Sequence, residues 1–534
     1  MNIEKFQLEA LGKYKAKNYT AALKILAKIQ RLKPEYKNSY YLEAQIWNEI
    51  GNPVKEYRAL EKALPFLNLA TPAERDFSAE ILSHVASLCF DLSLHEKSKE
   101  AFSLVVKLDD PPKVSRLDNA LFHVNAQENV SPDYFRTFYD KYKKCLAYIK
   151  PYPKKFYAHK KIRVGFLSAD FKNHAVINWA WSLLTGLDKN LFDTYLYSNV
   201  KKPDVVTEYL RKTVTNWRDI LNLTDEVAAK LIRDDEIDIL FDLSGHTDHN
   251  RLCVAAYRPA SVQISGIGYM NSTGLECFDY FLSDETCAGD ENFFTEKVIC
   301  LPHSHVCYEP SIKFEPANSP PCLKNNFVTF GSFNKFGKVT DAMLSAWKKI
   351  LDAVPNSRLL LKNKIFATAD GKNFVGDKLK SFGYDVARVE LRPFTANHLV
   401  EYGDVDIALD TFPYVGGVTT CEALYMGVPV VSLYGDRHGT RFGFSILKNV
   451  GLDELAVDSY EKYIERAVEL AGDWELLTLL RRNLRTMMKK SPLMNSELYL
   501  REIQAAFIKI LSEQKNFWGN ANGNDRSGTL LGGV

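Results

Sequence analysis

Closely paired cysteines are missing from this sequence. The chain has nine cysteines, at 89, 145, 253, 277, 287, 300, 307, 322 and 421, and no CxxC. A zinc ribbon or a redox dithiol is thereby excluded, and the scatter predicts free thiols in a reducing compartment. An excess of one charge sign is missing too, since 68 Lys and Arg face 66 Asp and Glu for a net of +2. A protein built to grip a nucleic-acid backbone carries a basic excess on some face, so nucleic acid is not expected as a partner. No run of about 18 apolar residues occurs, which removes the expectation of a membrane-spanning helix. The opening MNIEKFQLEALGKYK lacks the apolar core of a signal peptide. These absences predict a cytoplasmic location.

What is present begins with an echo. NYTAALKILAKI, starting at Asn18, returns as NPVKEYRALEKAL, starting at Asn52, at the 34-residue tetratricopeptide period. Tyr19, Ala22, Leu26 and Ile29 align with Pro53, Glu56, Leu60 and Ala63. A looser copy, HEKSKEAFSLVVKLDDP, carries His95, Ser98, Phe102 and Val105 and is displaced by an insertion. Small residues let paired helices approach while larger apolar ones fill the groove between pairs. An ordinary helical bundle with a chance echo is the plainer alternative. Residues 1–145 are thus expected to form an all-α, repeat-like domain, too short to bury a stable core without leaning on the rest of the chain.

After the basic connector around 150–161, strand-like and helical stretches alternate. KIRVGFLSADF, 192–198, 237–245, 260–269 and 278–284 read as strands, with 224–235 as a helix among them. Past NSPPCLKNN (318–326) the pattern restarts with strands at 327–333, 357–363, 388–394, 405–413 and 429–435. Two successive βα runs predict two doubly wound lobes, 155–315 and 325–515, with a cleft between them. The Gly/Asn-rich end, 516–534, is expected to be a mobile tail.

Ligands of open α/β sheets bind at the C-terminal ends of strands. The richest such end is Asp410-Thr-Phe-Pro-Tyr-Val-Gly416-Gly417-Val418-Thr419-Thr420-Cys-Glu422. Its glycines permit close backbone approach, and free amides at a helix start make an anion site that suits a diphosphate. No GK[ST] follows it and GxGxxG is absent, which argues against a P-loop and against NAD. Asn334, Lys335 and Lys338 follow the 327–333 strand, and a cation there could neutralise a departing phosphate. His398 precedes VDIALD and is placed to pack against a flat ring. His174 and His246 leave first-lobe strands and would face the cleft from the other side. No HExxH occurs, and the DVD of Asp404 and Asp406 heads a strand instead of ending one, so no metal or other cofactor is expected.

Taken together, these motifs resemble the O-linked N-acetylglucosamine transferases and their bacterial relatives over about 161–510. SADFKNH is similar to the family's SxDFxxH, and RPASVQISGIGYMNSTG to its RPAPxQ…GYPGTxG. FDYFLSD resembles DYxxxD, FGSFNKFGKVT its FxxFNxxxKxxP, DTFPYVGGVTTCEAL the bacterial DTFPYNGGTTTCDAL, and SPLMNSELY its SPLxD stretch. The resemblance implies two Rossmann-like lobes of GT-B type behind a tetratricopeptide-like domain. It implies that Lys338 contacts the donor diphosphate, that His398 lies beside uracil, and that Gly417, Val418 and Thr419 cradle phosphate. Glu422 falls where an aspartate meets the ribose, His174 near the reacting sugar, and His246 in a GHT element. Val415, Val418 and Glu422 depart from the family's Asn, Thr and Asp, and GYMNSTG departs from GYPGTSG.

The expected activity is inverting, metal-independent transfer of a hexose, N-acetylglucosamine first, from a UDP-sugar to Ser/Thr of a protein. The acceptor protein or peptide would use the repeat groove and the cleft. His174, a first-lobe carboxylate such as Asp238, or the donor phosphate could take the acceptor proton. Two alternatives stand: an N-glucosyltransferase acting on Asn from UDP-glucose, and a catalytically weak repeat scaffold. A homo-oligomer or partner subunit is left open. The repeats are expected to act apart from donor binding, because Lys338, His398 and 416–422 lie far along the chain.

Overall fold

The computed structural model describes residues 2–108, 113–310 and 314–521. Its first part is helical: α1 (Ile3–Lys15), α2 (Tyr19–Leu32), α3 (Lys37–Ile50), α4 (Pro53–Ala63), α5 (Pro72–Asp91), α6 (His95–Leu108) and α7 (Val114–Val124). α1 packs on α2, α3 on α4 and α5 on α6, as helical repeats do. Local chemistry sets the starts of α2 and α4. Asn18 and Asn52 each accept a hydrogen bond from the backbone N–H three residues on. Three of the four repeated positions in each copy are buried: Ala22, Leu26 and Ile29 on α2, Glu56, Leu60 and Ala63 on α4, and Ser98, Phe102 and Val105 on α6, while Tyr19, Pro53 and His95 are half-buried. Glu56 stands where the first copy has an alanine, and its buried carboxylate is satisfied by His84 at 2.7 Å and Asn48 at 3.0 Å. The third copy is out of step because a 3₁₀ turn and loop follow α4 and α5 has 20 residues where α3 has 14.

The rest of the fold is built on two all-parallel sheets. The first contains β1 (Ile162–Ser168), β2 (Phe192–Ser198), β3 (Asn216–Asp219), β4 (Ile239–Asp242), β5 (Val262–Ser265), β6 (Tyr280–Asp284) and β7 (Lys297–Leu301), in the order β3-β2-β1-β4-β5-β6-β7. The second contains β8 (Thr329–Ser332), β9 (Arg358–Lys362), β10 (Val389–Arg392), β11 (Ile407–Leu409), β12 (Val430–Leu433) and β13 (Ala456–Val457), in the order β10-β9-β8-β11-β12-β13. The central strands β4, β5, β8, β11 and β12 are buried throughout, which is why they read as continuous apolar runs and not as alternating ones. The expected α/β class with two doubly wound lobes and a helical leader is the observed one.

The chain divides into two compact units. One comprises 1–131, 312–447 and 452–488, so α1–α7 and the second sheet belong together. The other comprises 132–311, 448–451 and 489–534, and holds the first sheet, helix α8 (Pro132–Leu146) and the last helix, Ser496–Ala521. These divisions differ from the linear 1–145, 155–315 and 325–515. α8 joins the first sheet because the Tyr139 hydroxyl donates to the Ser272 carbonyl at 3.2 Å. The last helix joins it through Phe507, whose ring lies 6.3 Å from that of Phe241 on β4. That helix takes in the start of the expected tail; 522–534 lie outside the described residues. No helix among the described residues is long and apolar enough to cross a membrane.

Candidate functional site

In the second-sheet unit, β8 and β11 are neighbours, so the loops leaving their C-terminal ends meet. β8 leads through Asn334 and Lys335 into a one-turn 3₁₀ helix, Phe336–Lys338. β11 leads through Asp410 and the glycines into the helix Val418–Tyr425. Gly417 caps that helix without a side-chain hydrogen bond, leaving its first amides for an anion.

Lys338 reaches from one loop into the other. Its Nζ donates to the Val415 carbonyl at 3.1 Å and stands 3.8 Å from the centre of the Tyr414 ring. Burial pushes its pKa down from 10.5 to about 8; Asp410 opposes the shift and Lys335 adds to it. Asp410, only 2% exposed, organises the other loop. Its Oδ1 accepts from Gly416 N at 2.6 Å, Thr411 N at 2.8 Å and Asn334 Nδ2 at 3.2 Å, and its Oδ2 from Ser432 Oγ at 2.7 Å. Gly416 is required by space: a Cβ there would stand 2.5 Å from Thr420 Oγ1 and 2.8 Å from Asp410 Oδ1. The Thr419 hydroxyl is turned to Asn334 Oδ1 at 2.9 Å, so it braces the two loops against each other.

The loop after β10 supplies His398. Lys362, at the end of β9, pins that loop by donating to Glu401 at 2.6 Å, Pro393 O at 2.9 Å and Thr395 Oγ1 at 3.1 Å. His398 Nε2 lies 3.5 Å from Glu422 Oε2, and its ring is 5.2 Å from that of Phe394. Its Nδ1 is buried without a hydrogen-bond partner among the described residues, a polar atom a ligand could satisfy. Tyr402, in the same 3₁₀ segment as His398, stacks on Phe333 at 4.4 Å, and its hydroxyl donates to the Thr419 carbonyl at 3.2 Å.

Most residues expected to bind the donor are therefore in one place: Asn334, Lys338, His398, Gly416, Gly417, Val418, Thr419, Thr420 and Glu422. Lys335 points elsewhere, pairing with Asp91 of α5 at 2.7 Å. Asp410, Tyr414, Tyr402 and Phe333 complete the site, although the sequence does not mark them as donor-binding residues. Of these, Asp410 has a legible signal, a carboxylate closing an apolar strand just before a glycine loop.

The other unit holds the remaining candidates. His174, its side chain 43% exposed, follows β1 with Nδ1 3.6 Å from Asp170 Oδ2. Burial lowers its pKa, Asp170 opposing and Lys172 reinforcing, so a neutral imidazole is available. His246 is 1% exposed, with its ring edge-on to Tyr142 and Tyr269 at 5.0 and 5.3 Å. Its Nε2–H donates to the Thr273 carbonyl at 2.8 Å, so it pins the 269–274 loop rather than facing a ligand. Asp238 precedes β4 and accepts from Arg163 N at 3.0 Å, which puts it at the wrong end of the sheet for a base. The carboxylate at the right end is Asp242, whose pKa burial raises to about 6.

Two parallel α/β lobes, with a glycine-led helix start and a loop-borne lysine at the strand ends of one of them, are the makings of a glycosyltransferase. The family model for glycosyl transferase family 41 matches residues 140–314 and 318–503, and the chain belongs to that family. It is 39% identical over 353 residues to a probable UDP-N-acetylglucosamine–peptide N-acetylglucosaminyltransferase SPINDLY of Solanum lycopersicum, covering 64% of this chain and 38% of that one. It is 36% identical to the Hordeum vulgare protein of that name, covering 74% and 44%. The chain thus spans less than half the length of these relatives. A mutant Thermobaculum terrenum O-GlcNAc transferase is similar in structure, with a TM-score of 0.82, 25% identity, and coverage of 96% of this chain and 98% of that one.

Proposed function

We propose that this protein transfers a hexose from a nucleoside-diphosphate carrier to a side-chain hydroxyl of another protein. UDP-N-acetylglucosamine is the donor, Ser or Thr the acceptor, and the anomeric centre inverts. The observation that carries the reading is the Lys338 ammonium seated inside the 410–418 loop, beside the uncapped start of the helix Val418–Tyr425. In a single displacement the acceptor oxygen bonds to the anomeric carbon as the bond to the β-phosphate oxygen breaks. Negative charge grows on the departing diphosphate, where Lys338 and the amides of 417–419 neutralise it. His398 and Glu422 hold the nucleoside. His174 is the neutral base proposed for the acceptor proton.

Val415 and Val418 do not disable this arrangement. Val415 acts through its carbonyl, with its side chain buried, and Val418 through its N–H at the first helical position. That favours a working enzyme over a scaffold. Incubation with a panel of UDP- and GDP-linked hexoses and an acceptor lysate, read by mass spectrometry, tests the reading. Transfer of N-acetylglucosamine to Ser or Thr is expected; labelled Asn, or no transfer from any donor, would overturn it.

No step in this mechanism uses a metal, so rates should be the same in excess EDTA. Loss of transfer on chelation with recovery in Mn²⁺ or Mg²⁺ would assign the diphosphate to an ion instead. The same lysine imposes a pH dependence. Only protonated Lys338 holds the diphosphate, and its pKa is lowered to about 8. The kcat/KM for donor should therefore fall as pH rises through about 8. Lys338→Arg stays charged, so whatever activity it keeps should lack that limb. A wild-type rate that is flat up to pH 10 would remove Lys338 from this role.

A further inference from the structure

Lys338 belongs to the second sheet, yet its neighbours along the chain, Lys335, Gly337, Val339 and Thr340, are held by the helical block. Lys335 pairs with Asp91 and lies over the Phe90 ring at 5.3 Å. Gly337 lies so close to the end of α5 that a Cβ would come within 2.6 Å of the Phe90 carbonyl. The Val339 carbonyl accepts from Ser93 Oγ and from His95 Nε2–H, the latter at 3.2 Å. The Thr340 hydroxyl is 3.0 Å from Glu128 Oε1, and Glu128 also accepts from the Tyr460 hydroxyl at 2.8 Å. Lys378 bridges the Asp341 carboxylate at 2.7 Å and the Ser93 carbonyl. Tyr414, whose ring carries the ammonium, is met by Phe122 of α7 with ring centres 5.9 Å apart.

A one-turn 3₁₀ helix has few internal hydrogen bonds, so its position is decided by what surrounds it. Here the surroundings include α5, the α5–α6 turn and the segment after α7, beside the Val415 carbonyl and the Phe366 ring. Ser93 itself sits at φ +59°, a left-handed conformation that aims its carbonyl at Lys378 and its hydroxyl at Val339.

We propose that the helical block is part of the transfer machinery, with Ser93 and His95 as positioning residues that fix Lys338 through the Val339 carbonyl. The inference rests on Lys338 being the diphosphate lysine, and it departs from the expectation that the repeats act apart from the donor site. It also gives the block a means of coupling to chemistry. Whatever binds or bends α5–α7 shifts the ammonium directly, and about 1 Å of displacement is enough to slow a reaction severely.

The test has an arm that does not need turnover. The titration midpoint of Lys338 can be followed by NMR of ¹³C-methylated lysines, its signal assigned by loss in Lys338→Arg. Burial sets this midpoint first, with Asp410 raising it and Lys335, paired with Asp91, lowering it; the Tyr414 ring lies beneath the ammonium. In the double variant Ser93→Ala, His95→Leu, the loop should loosen into water. The midpoint should rise from about 8 toward 10.5. In the same variant kcat should fall about tenfold with acceptor KM unchanged. Gln in place of Leu at 95, in Ser93→Ala, His95→Gln, keeps a donor to Val339 and should restore much of both. Asp91→Asn, at a more exposed pair, should lower kcat about threefold by releasing Lys335 and covers the case in which the double variant does not fold. An unchanged midpoint and kcat in the folded variants would overturn the proposal. If the wild type transfers no sugar at all, the functional reading fails while the midpoint still judges the clasp.

Discussion

Lys338→Met should give a folded protein whose turnover is lower by about 10²-fold or more, the scale of losing one preorganised electrostatic stabiliser. Methionine has nearly the length of the lysine stem and an apolar end that suits the face of Tyr414. The native ammonium is held there against a burial cost, visible in its lowered pKa. Removing it should therefore leave the melting temperature unchanged or slightly raised while the rate collapses. Parallel thermal melts and initial rates with saturating donor separate the two effects. A rate near wild type in the methionine variant would mean that the diphosphate is neutralised elsewhere. A collapse of both rate and melting temperature would mean that the lysine is a structural prop, seated by Val415 and Tyr414 for the sake of the fold.

The sheet order depends on strands of unequal legibility. The buried strands β1, β4, β5, β8, β11 and β12 announce themselves as apolar runs because both faces are covered. β3, Asn-Trp-Arg-Asp at a sheet edge, has no such run, and β13 is two residues long; neither is visible in the sequence. Asp238 misleads because the nine-residue apolar stretch 237–245 reads as strand throughout, whereas only Ile239–Asp242 pairs, which puts the carboxylate at the strand's head. The residues proposed for the donor are legible for the opposite reason, since loops at adjacent parallel strand ends must converge wherever their exact boundaries fall. The role of the α5–α6 turn is not legible. Ser93 and Val339 are 246 residues apart in the chain, and nothing local to either announces the other. His246 shows the limit of reading a residue by its motif: a histidine just past a strand end can still be turned inward, here between two tyrosines.

Asp410 is where fold and site depend on one side chain, so its substitution should be the most damaging of all. Asp410→Ala removes the acceptor for Gly416 N, Thr411 N, Asn334 Nδ2 and Ser432 Oγ together. Buried donors left without partners cost about 1–3 kcal/mol each when the site cannot relax. A loss of about 3 kcal/mol or more in unfolding free energy is expected, with transfer abolished because the 410–418 loop no longer holds its shape. Asp410→Asn separates the two contributions. It keeps the shape and one acceptor oxygen, so the loop can stay closed around Gly416, but it removes the negative charge that supports the Lys338 ammonium. Lys338 should then titrate below about 8, and the alkaline fall in kcat/KM should move toward neutral pH. Sign and direction come from the charge alone: a cation that loses a nearby anion gives up its proton more readily. Chemical denaturation of both variants, with a pH profile of the asparagine form, decides the matter. If the asparagine profile stayed where the wild type's lies, Asp410 would serve only as the peg of its loop. A shift to lower pH, with the fold retained, would show that the carboxylate also keeps Lys338 charged.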